Sequence, residues 1–93
     1  MFMIEDEWHG EPGLVEFATR EDARAELDRL AGLPWDKPPN QAPCAGWKKC
    51  GRSYHLIEYD TSQGRWRQVR NEAMLEISAK GIVWLSVAET EVP

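Results

Sequence analysis

The sequence predicts an α+β fold, in which a single, mostly antiparallel sheet with chain order ββαββββ carries one helix packed on one face. Three observations predict it: short stretches in which apolar and polar residues alternate, one stretch with helical spacing, and turns that contain glycine or proline. With 93 residues, of which 42% are hydrophobic, the chain can form one compact core but not two. We therefore expect residues 1–93 to fold as a single domain.

The first two strands are predicted on either side of a turn. In residues 2–8 the apolar side chains at alternate positions share one side of an extended chain, as in a half-buried strand. Residues 9–13 contain two glycines and a proline, which interrupt the strand. The alternation resumes in residues 14–18, so the segment predicts a hairpin.

The single helix is predicted over residues 20–31. Thr19 is a good N-cap, and Asp22 three positions later places negative charge in the first turn, where the helix dipole favours it. Gly32 is the expected end of the helix. The apolar stripe at helical spacing consists of Ala23, Leu27, Leu30 and Ala31.

A long irregular loop is predicted from residue 32 to about residue 53. The segment contains four prolines and three glycines, which disfavour regular structure. It also contains Trp35, Trp47 and both cysteines, and these side chains favour packing over disorder. We expect an ordered loop that lies over the sheet.

The last forty residues predict consecutive antiparallel strands joined by short turns. Residues 61–64 form one predicted turn, and Gly81 supplies the left-handed residue of a second, three-residue hairpin loop. Residues 89–93 are expected to be frayed. The strands are predicted over residues 54–60, 65–70, 73–78 and 82–87.

Charge and the lack of long apolar runs bear on where the protein acts. Sixteen acidic and eleven basic residues give a net charge of -5, which disfavours non-specific binding of the whole protein to nucleic acid or membranes. The chain becomes acidic at Glu5 and does not resemble a signal peptide. No apolar run approaches the ~20 residues that span a bilayer. We therefore expect a soluble, cytoplasmic protein with reduced cysteines and no membrane association.

Both cysteines lie in the predicted loop, and a histidine follows them. Five residues separate Cys44 from Cys50, and four separate Cys50 from His55. Because structural zinc sites use thiolate and imidazole, these three residues are candidate metal ligands, with His9 as a candidate fourth. The spacing is longer than in the common C-x2-4-C zinc motif, so we expect two reduced, partly buried loop cysteines, and a metal site and a disulfide or redox pair are the alternatives. No cofactor is predicted.

A second group of residues combines positive charge with aromatic rings. Between residues 47 and 70 the chain has six basic and two acidic side chains, although the whole protein is acidic. Such residues are common anchors at protein interfaces, and they also hold single-stranded nucleic acid. The chain has no RRM, KH or helix-turn-helix pattern, which disfavours nucleic acid as the partner. The predicted basic/aromatic surface consists of Trp35, Trp47, Lys48, Lys49, Arg52, Arg65, Trp66 and Arg67.

The chain has five tryptophans, more than a core of this size requires. Trp8, Trp66 and Trp84 lie in predicted strands, and we expect them in the core or half-buried beside it. Trp35 and Trp47 lie in the loop, where they are candidate anchors for a partner.

The sequence lacks the common catalytic motifs. It has no G-x-S-x-G elbow, no phosphate-binding glycine loop and no H-E-x-x-H pair. On a straight strand, His55 points away from both Glu58 and Asp60, so it forms no acid/base pair with them. We therefore expect a non-enzymatic module that binds a protein partner, or a second copy of itself, through the basic/aromatic surface. The first alternative is metal or small-ligand binding by Cys44, Cys50 and His55, and the second is single-stranded nucleic-acid binding.

Overall fold

The structure is a computed structural model that describes residues 1–10 and 15–85. Within these ranges, four strands form one antiparallel sheet, in which each strand pairs with the next one in sequence. The predicted α+β fold, with one antiparallel sheet and one helix, is confirmed. The elements are β1 (Phe2–Asp6), α1 (Arg20–Ala31), a 3₁₀ helix (Trp47–Lys49), β2 (Gly51–Asp60), β3 (Arg67–Ser78) and β4 (Gly81–Trp84).

The strands differ from the prediction in two places. The predicted second strand over residues 14–18, whose first residue lies outside the described part of the chain, contributes an isolated bridge. In this bridge Phe2 and Phe17 exchange backbone hydrogen bonds of 2.8 Å. The predicted strands over residues 65–70 and 73–78 are joined in one continuous strand, β3, which begins at Arg67. Two register shifts between β2 and β3 let the paired strands bend without ending.

The ends of the predicted elements also shift. The predicted loop ends before residue 53, because β2 begins at Gly51. The predicted last strand corresponds to β4, and its residues 86 and 87 lie outside the described ranges. The predicted frayed tail, residues 89–93, lies outside them as well.

Helix α1 covers one face of the sheet with its apolar stripe. Ala23, Leu27 and Leu30 are buried against side chains from β2 and β3. The strands contribute Tyr54, Leu56, Met74, Leu75 and Ile77 to this core. Ile57 alternates with Leu56 along β2 and is fully buried on the opposite face.

Side chains cap both ends of α1. Thr19 Oγ1 accepts a hydrogen bond of 3.1 Å from the backbone N–H of Asp22, which confirms the predicted N-cap. At the other end, Nδ2 of the buried Asn40 donates to the carbonyl oxygens of Leu30 and Leu33, at 2.8 and 3.2 Å. Because Asn40 belongs to the loop, these bonds hold the loop against the helix. Within residues 1–10 and 15–85, no helix combines the length and apolar character needed to cross a bilayer.

Three tryptophans predicted in or beside the core are exposed instead. Trp8 is 53% exposed because β1 ends before it and leaves it in a turn. Trp66 precedes β3, is 41% exposed and packs on Tyr59 with ring centroids 5.3 Å apart. Trp84 lies on the edge strand β4 and is 38% exposed, and the guanidinium carbon of Arg24 lies 4.6 Å from its ring centroid.

Candidate metal centre

Three metal-ligating side chains meet at the end of the sheet where β1 stops and β2 starts. His9, Cys44 and Cys50 each present a ligand atom, and these atoms all lie within 4.8 Å of one another. His9 lies in the turn after β1, Cys44 lies in the long loop, and Cys50 directly precedes β2. All three side chains are half-buried, so the cluster is partly enclosed and still reachable from solvent.

A buried carboxylate joins the two strands beside this cluster. Asp6, the last residue of β1, is 3% exposed. Its Oδ1 accepts hydrogen bonds of 3.1 Å from the backbone N–H groups of Trp8 and Ser53. Its Oδ2 lies 3.0 Å from Nη1 of Arg52, which compensates the buried negative charge. Asp6 therefore fixes both the turn after β1 and the start of β2.

The same carboxylate orients the imidazole of His9. Nδ1 of His9 lies 2.7 Å from Oδ2 of Asp6, and Nε2 lies 3.1 Å from Sγ of Cys50. Because an ionised carboxylate only accepts hydrogen bonds, Nδ1 carries the proton. In the neutral imidazole the lone pair is then on Nε2, which faces the sulfur. A carboxylate bonded to the far nitrogen is the usual partner of a metal-ligating histidine.

Close packing between β2 and β3 sets the position of Cys50. Its backbone N–H donates to the carbonyl oxygen of Trp47 at 3.2 Å and closes the 3₁₀ helix. The next residue, Gly51, is buried, and a Cβ atom there would lie 2.7 Å from Cβ of Ser78 and overlap the carbonyl oxygen of Ile77. Only glycine allows this approach, so the chain enters β2 at a fixed position beside β3.

Contacts on both sides of Cys44 hold the loop in place. On the N-terminal side, Nη2 of Arg52 donates to the carbonyl oxygen of Gln41 at 2.8 Å, and Ala42 is buried. The rings of Trp35 and Trp47 pack together with centroids 5.7 Å apart, which joins the two halves of the loop. Cys44 is therefore carried to the cluster by loop packing and not by a regular element.

The proximity of the three groups shifts their pKa values in different directions. Burial lowers the pKa of His9, but hydrogen bonds to Asp6 and Cys44 outweigh it, so the pKa is raised. Hydrogen bonds from His9 and Cys50 hold the pKa of the Cys44 thiol below its ordinary value. Burial, followed by the hydrogen bond to Cys44, raises the pKa of Cys50. Cys44 is therefore the first of the two thiols to reach the thiolate form, which is the form that binds metals.

The donor set and its spacing suit a zinc ion. Zinc binds thiolate sulfur at about 2.3 Å and imidazole nitrogen at about 2.0–2.1 Å, which places tetrahedral ligands about 3.5–3.8 Å apart. The three donors here lie within 4.8 Å of one another, so small side-chain movements bring them to that spacing. No family model, curated protein or solved structure matches the chain. The donor set is therefore the main observation that bears on function.

The histidine beside the two cysteines is His9, and not His55, which the sequence favours. His55, which the sequence groups with Cys44 and Cys50, lies within β2, and its Nδ1 is 2.7 Å from Oδ1 of Asn71. It is not a member of the cluster, whereas His9, predicted only as a fourth ligand, is. A signal for His9 exists in the sequence, because a carboxylate three residues before it, Asp6, can bond its imidazole within one turn.

The residues of the predicted basic/aromatic surface lie in two separate groups. Trp35, Trp47, Lys48 and Lys49 lie in the loop that leads into β2. The second group, Arg65, Trp66 and Arg67, lies beyond the far end of β2, where Arg67 pairs with Asp60. Ten residues of β2 separate the groups, a distance of about 30 Å.

The eighth residue of that predicted surface has a structural contact instead. The side chain of Arg52 is 11% exposed, and it is bonded to Asp6 and to the loop backbone. It therefore stabilises the backbone around the cluster of His9, Cys44 and Cys50. The structure does not bring the eight residues together on one continuous face.

Proposed function

We propose that the protein binds a zinc ion through Nε2 of His9 and the thiolates of Cys44 and Cys50. The orientation of His9 supports this most directly, since its Nδ1 is bonded to Asp6 while its Nε2 faces the sulfur of Cys50. Two thiolates and one imidazole form a donor set that binds zinc in preference to harder metals, which favour oxygen ligands.

Zinc at this site would join three segments that are distant in sequence. The turn after β1, the long loop and the start of β2 each supply one ligand. A chain of this size has a modest core, so a bound metal adds materially to its stability. A cytoplasmic location, which the sequence predicts, fits this function because a reducing compartment keeps both thiols available.

The test is a titration of the reduced, metal-free protein with Co²⁺ and then with Zn²⁺. We expect one metal per chain by native mass spectrometry, together with the intense ultraviolet absorption of thiolate bound to cobalt. Zinc should raise the melting temperature, and a chelator should reverse the rise, because the metal binds the folded state. Cys44→Ser, Cys50→Ser and His9→Ala should each weaken binding by at least about tenfold.

His55→Ala is the matched control, since His55 is the other histidine of the chain and lies outside the cluster. It should bind cobalt and zinc as the unaltered protein does. The proposal is wrong if no metal binds, or if His55→Ala loses the metal while His9→Ala retains it.

We also propose that the 3₁₀ helix beside the metal centre contacts a second copy of the chain. Lys48 and Lys49 are exposed, and Nζ of Lys48 lies 5.8 Å from the ring centroid of the half-buried Trp47. The protein is acidic overall, so a second copy offers complementary charge. Sedimentation velocity tests this. Lys48→Glu should abolish a dimer and Arg67→Glu, at the far end of β2, should not, whereas a protein that is monomeric at all concentrations contradicts it.

A further inference from the structure

The two sulfurs of the candidate metal centre are placed to react with each other. Cys44 and Cys50 are both free, and their Sγ atoms lie within the same 4.8 Å cluster. A disulfide requires the sulfurs to approach to about 2.05 Å, with the Cα atoms about 4.4–6.8 Å apart. Because the two Sγ atoms lie within 4.8 Å of each other, a movement of less than about 3 Å separates the reduced pair from the bonded pair.

The segment between the cysteines can absorb that movement. It contains one short 3₁₀ helix, and Gly46 lies where an added Cβ atom would meet nothing within 4 Å. Both cysteines are half-buried, so a small oxidant can reach them from solvent. The neighbouring groups that fix the end of the sheet, Asp6 and Arg52, bond to each other and need not move.

We propose that the centre is a peroxide-sensitive metal switch, in which oxidation of Cys44 and Cys50 to a disulfide releases the zinc ion. This inference rests on the proposed zinc binding. One thiolate attacks an oxygen of hydrogen peroxide, which breaks the O–O bond and gives a sulfenic acid and hydroxide. The second thiolate then attacks the sulfenic sulfur, forms the S–S bond and expels a second hydroxide.

The electrons and ligands balance over these two steps. The two sulfurs together lose two electrons, and peroxide is reduced to two hydroxide ions, which become water on protonation. The ion loses both thiolate ligands and keeps only the imidazole of His9, which is too few donors to retain zinc. A cellular dithiol reverses the reaction by thiol–disulfide exchange and restores the site.

The experiment treats the zinc-loaded protein with one equivalent of hydrogen peroxide and follows free zinc and protein mass in the same sample. We expect one zinc released per chain, the loss of two hydrogen atoms from the protein, and recovery of binding after treatment with dithiothreitol. Peptide mapping should place the bond between Cys44 and Cys50. His55→Ala should behave like the unaltered protein.

Cysteine variants separate this pathway from damage by the oxidant. In metal-free Cys50→Ser, Cys44 has no neighbouring thiol, so peroxide should add oxygen to the protein and form no intramolecular disulfide. The reciprocal Cys44→Ser should behave the same way. The switch is rejected if zinc leaves the unaltered protein with oxygen added and no disulfide formed, or if zinc stays bound after the thiols are oxidised.

Failure of the switch is distinguishable from failure of the proposed function. The zinc content before peroxide is added decides whether the protein binds zinc. A protein that binds no zinc overturns both proposals, and a protein that binds zinc but forms no disulfide overturns only the switch.

Discussion

Nη1 of Arg52 lies 3.0 Å from Oδ2 of Asp6, and the two side chains are 11% and 2% exposed. The pair joins the start of β2 to the end of β1, and the same carboxylate oxygen also holds the imidazole of His9. One buried ion pair therefore joins the two strands and orients the imidazole of His9, the proposed metal ligand.

Removing the cationic partner should destabilise the fold strongly. Arg52→Ala leaves the Asp6 carboxylate buried without its counter-charge, and we expect the free energy of unfolding to fall by about 3–5 kcal/mol in urea denaturation. Arg67→Ala is the control, since its pair with Asp60 is exposed and should be worth less than about 1 kcal/mol. Equal losses of stability in the two variants would show that the buried ion pair contributes no more to folding than the exposed one.

Removing the charge of Asp6 should weaken the metal site through His9. Asp6→Asn keeps the size of the side chain but no longer fixes the proton on Nδ1, so zinc affinity should fall by about 10- to 100-fold in a competition titration. Glu7→Gln alters the adjacent, exposed carboxylate and should leave zinc affinity unchanged. An unaltered affinity in Asp6→Asn would contradict the role assigned to this carboxylate.

Any side chain at residue 51 should destabilise the protein, because β2 and β3 lie very close together there. In Gly51→Ala the new methyl group overlaps the backbone of Ile77, and we expect a loss of about 1–3 kcal/mol in the free energy of unfolding. Gly46→Ala places a methyl group in open space and should change stability by less than about 0.5 kcal/mol. Thermal unfolding of the two single variants compares them directly, and a stable Gly51→Ala would refute the predicted overlap.

Tyr59 should make the protein sensitive to alkaline pH. Burial and a 2.7 Å hydrogen bond to Glu5 raise its pKa from 10.0 in the unfolded chain to about 12. The folded state thus favours the neutral phenol, so its stabilising contribution is complete below pH 10 and is lost as the pH rises towards 12. Tyr59→Phe should show a shallower fall in stability over this range, measured by denaturation at fixed pH. Identical slopes in the two proteins would contradict the raised pKa.

The parts of the fold set by local signals could be predicted from the sequence. Thr19, the apolar stripe and Gly32 define α1 within one segment, and the structure agrees with them. The continuity of β3 could not be predicted, since it depends on register shifts against a strand that lies elsewhere in the chain. Trp84 was misplaced for a related reason, because burial on an edge strand depends on what packs over it.

The ligands of the proposed metal centre were harder to predict, for the same reason. Cys44 and Cys50 could be identified by their proximity in sequence, and that proximity also favoured His55. The pairing of Asp6 with Tyr54 in the β1–β2 register instead brings the turn containing His9 to the cysteines. Strand register is a long-range property, so spacing along the chain does not reveal it.

The ligand from the turn after β1 and the ligand before β2 are 41 positions apart, and α1 lies between them. Metal held by both would close a covalently continuous ring with the whole helix inside it. Because the ion binds the folded state, this ring lasts only while its two ends stay in place, and separating them would require the ion to leave. β1 is the outer strand of the sheet on that side, so the bound ion would oppose its detachment from β2.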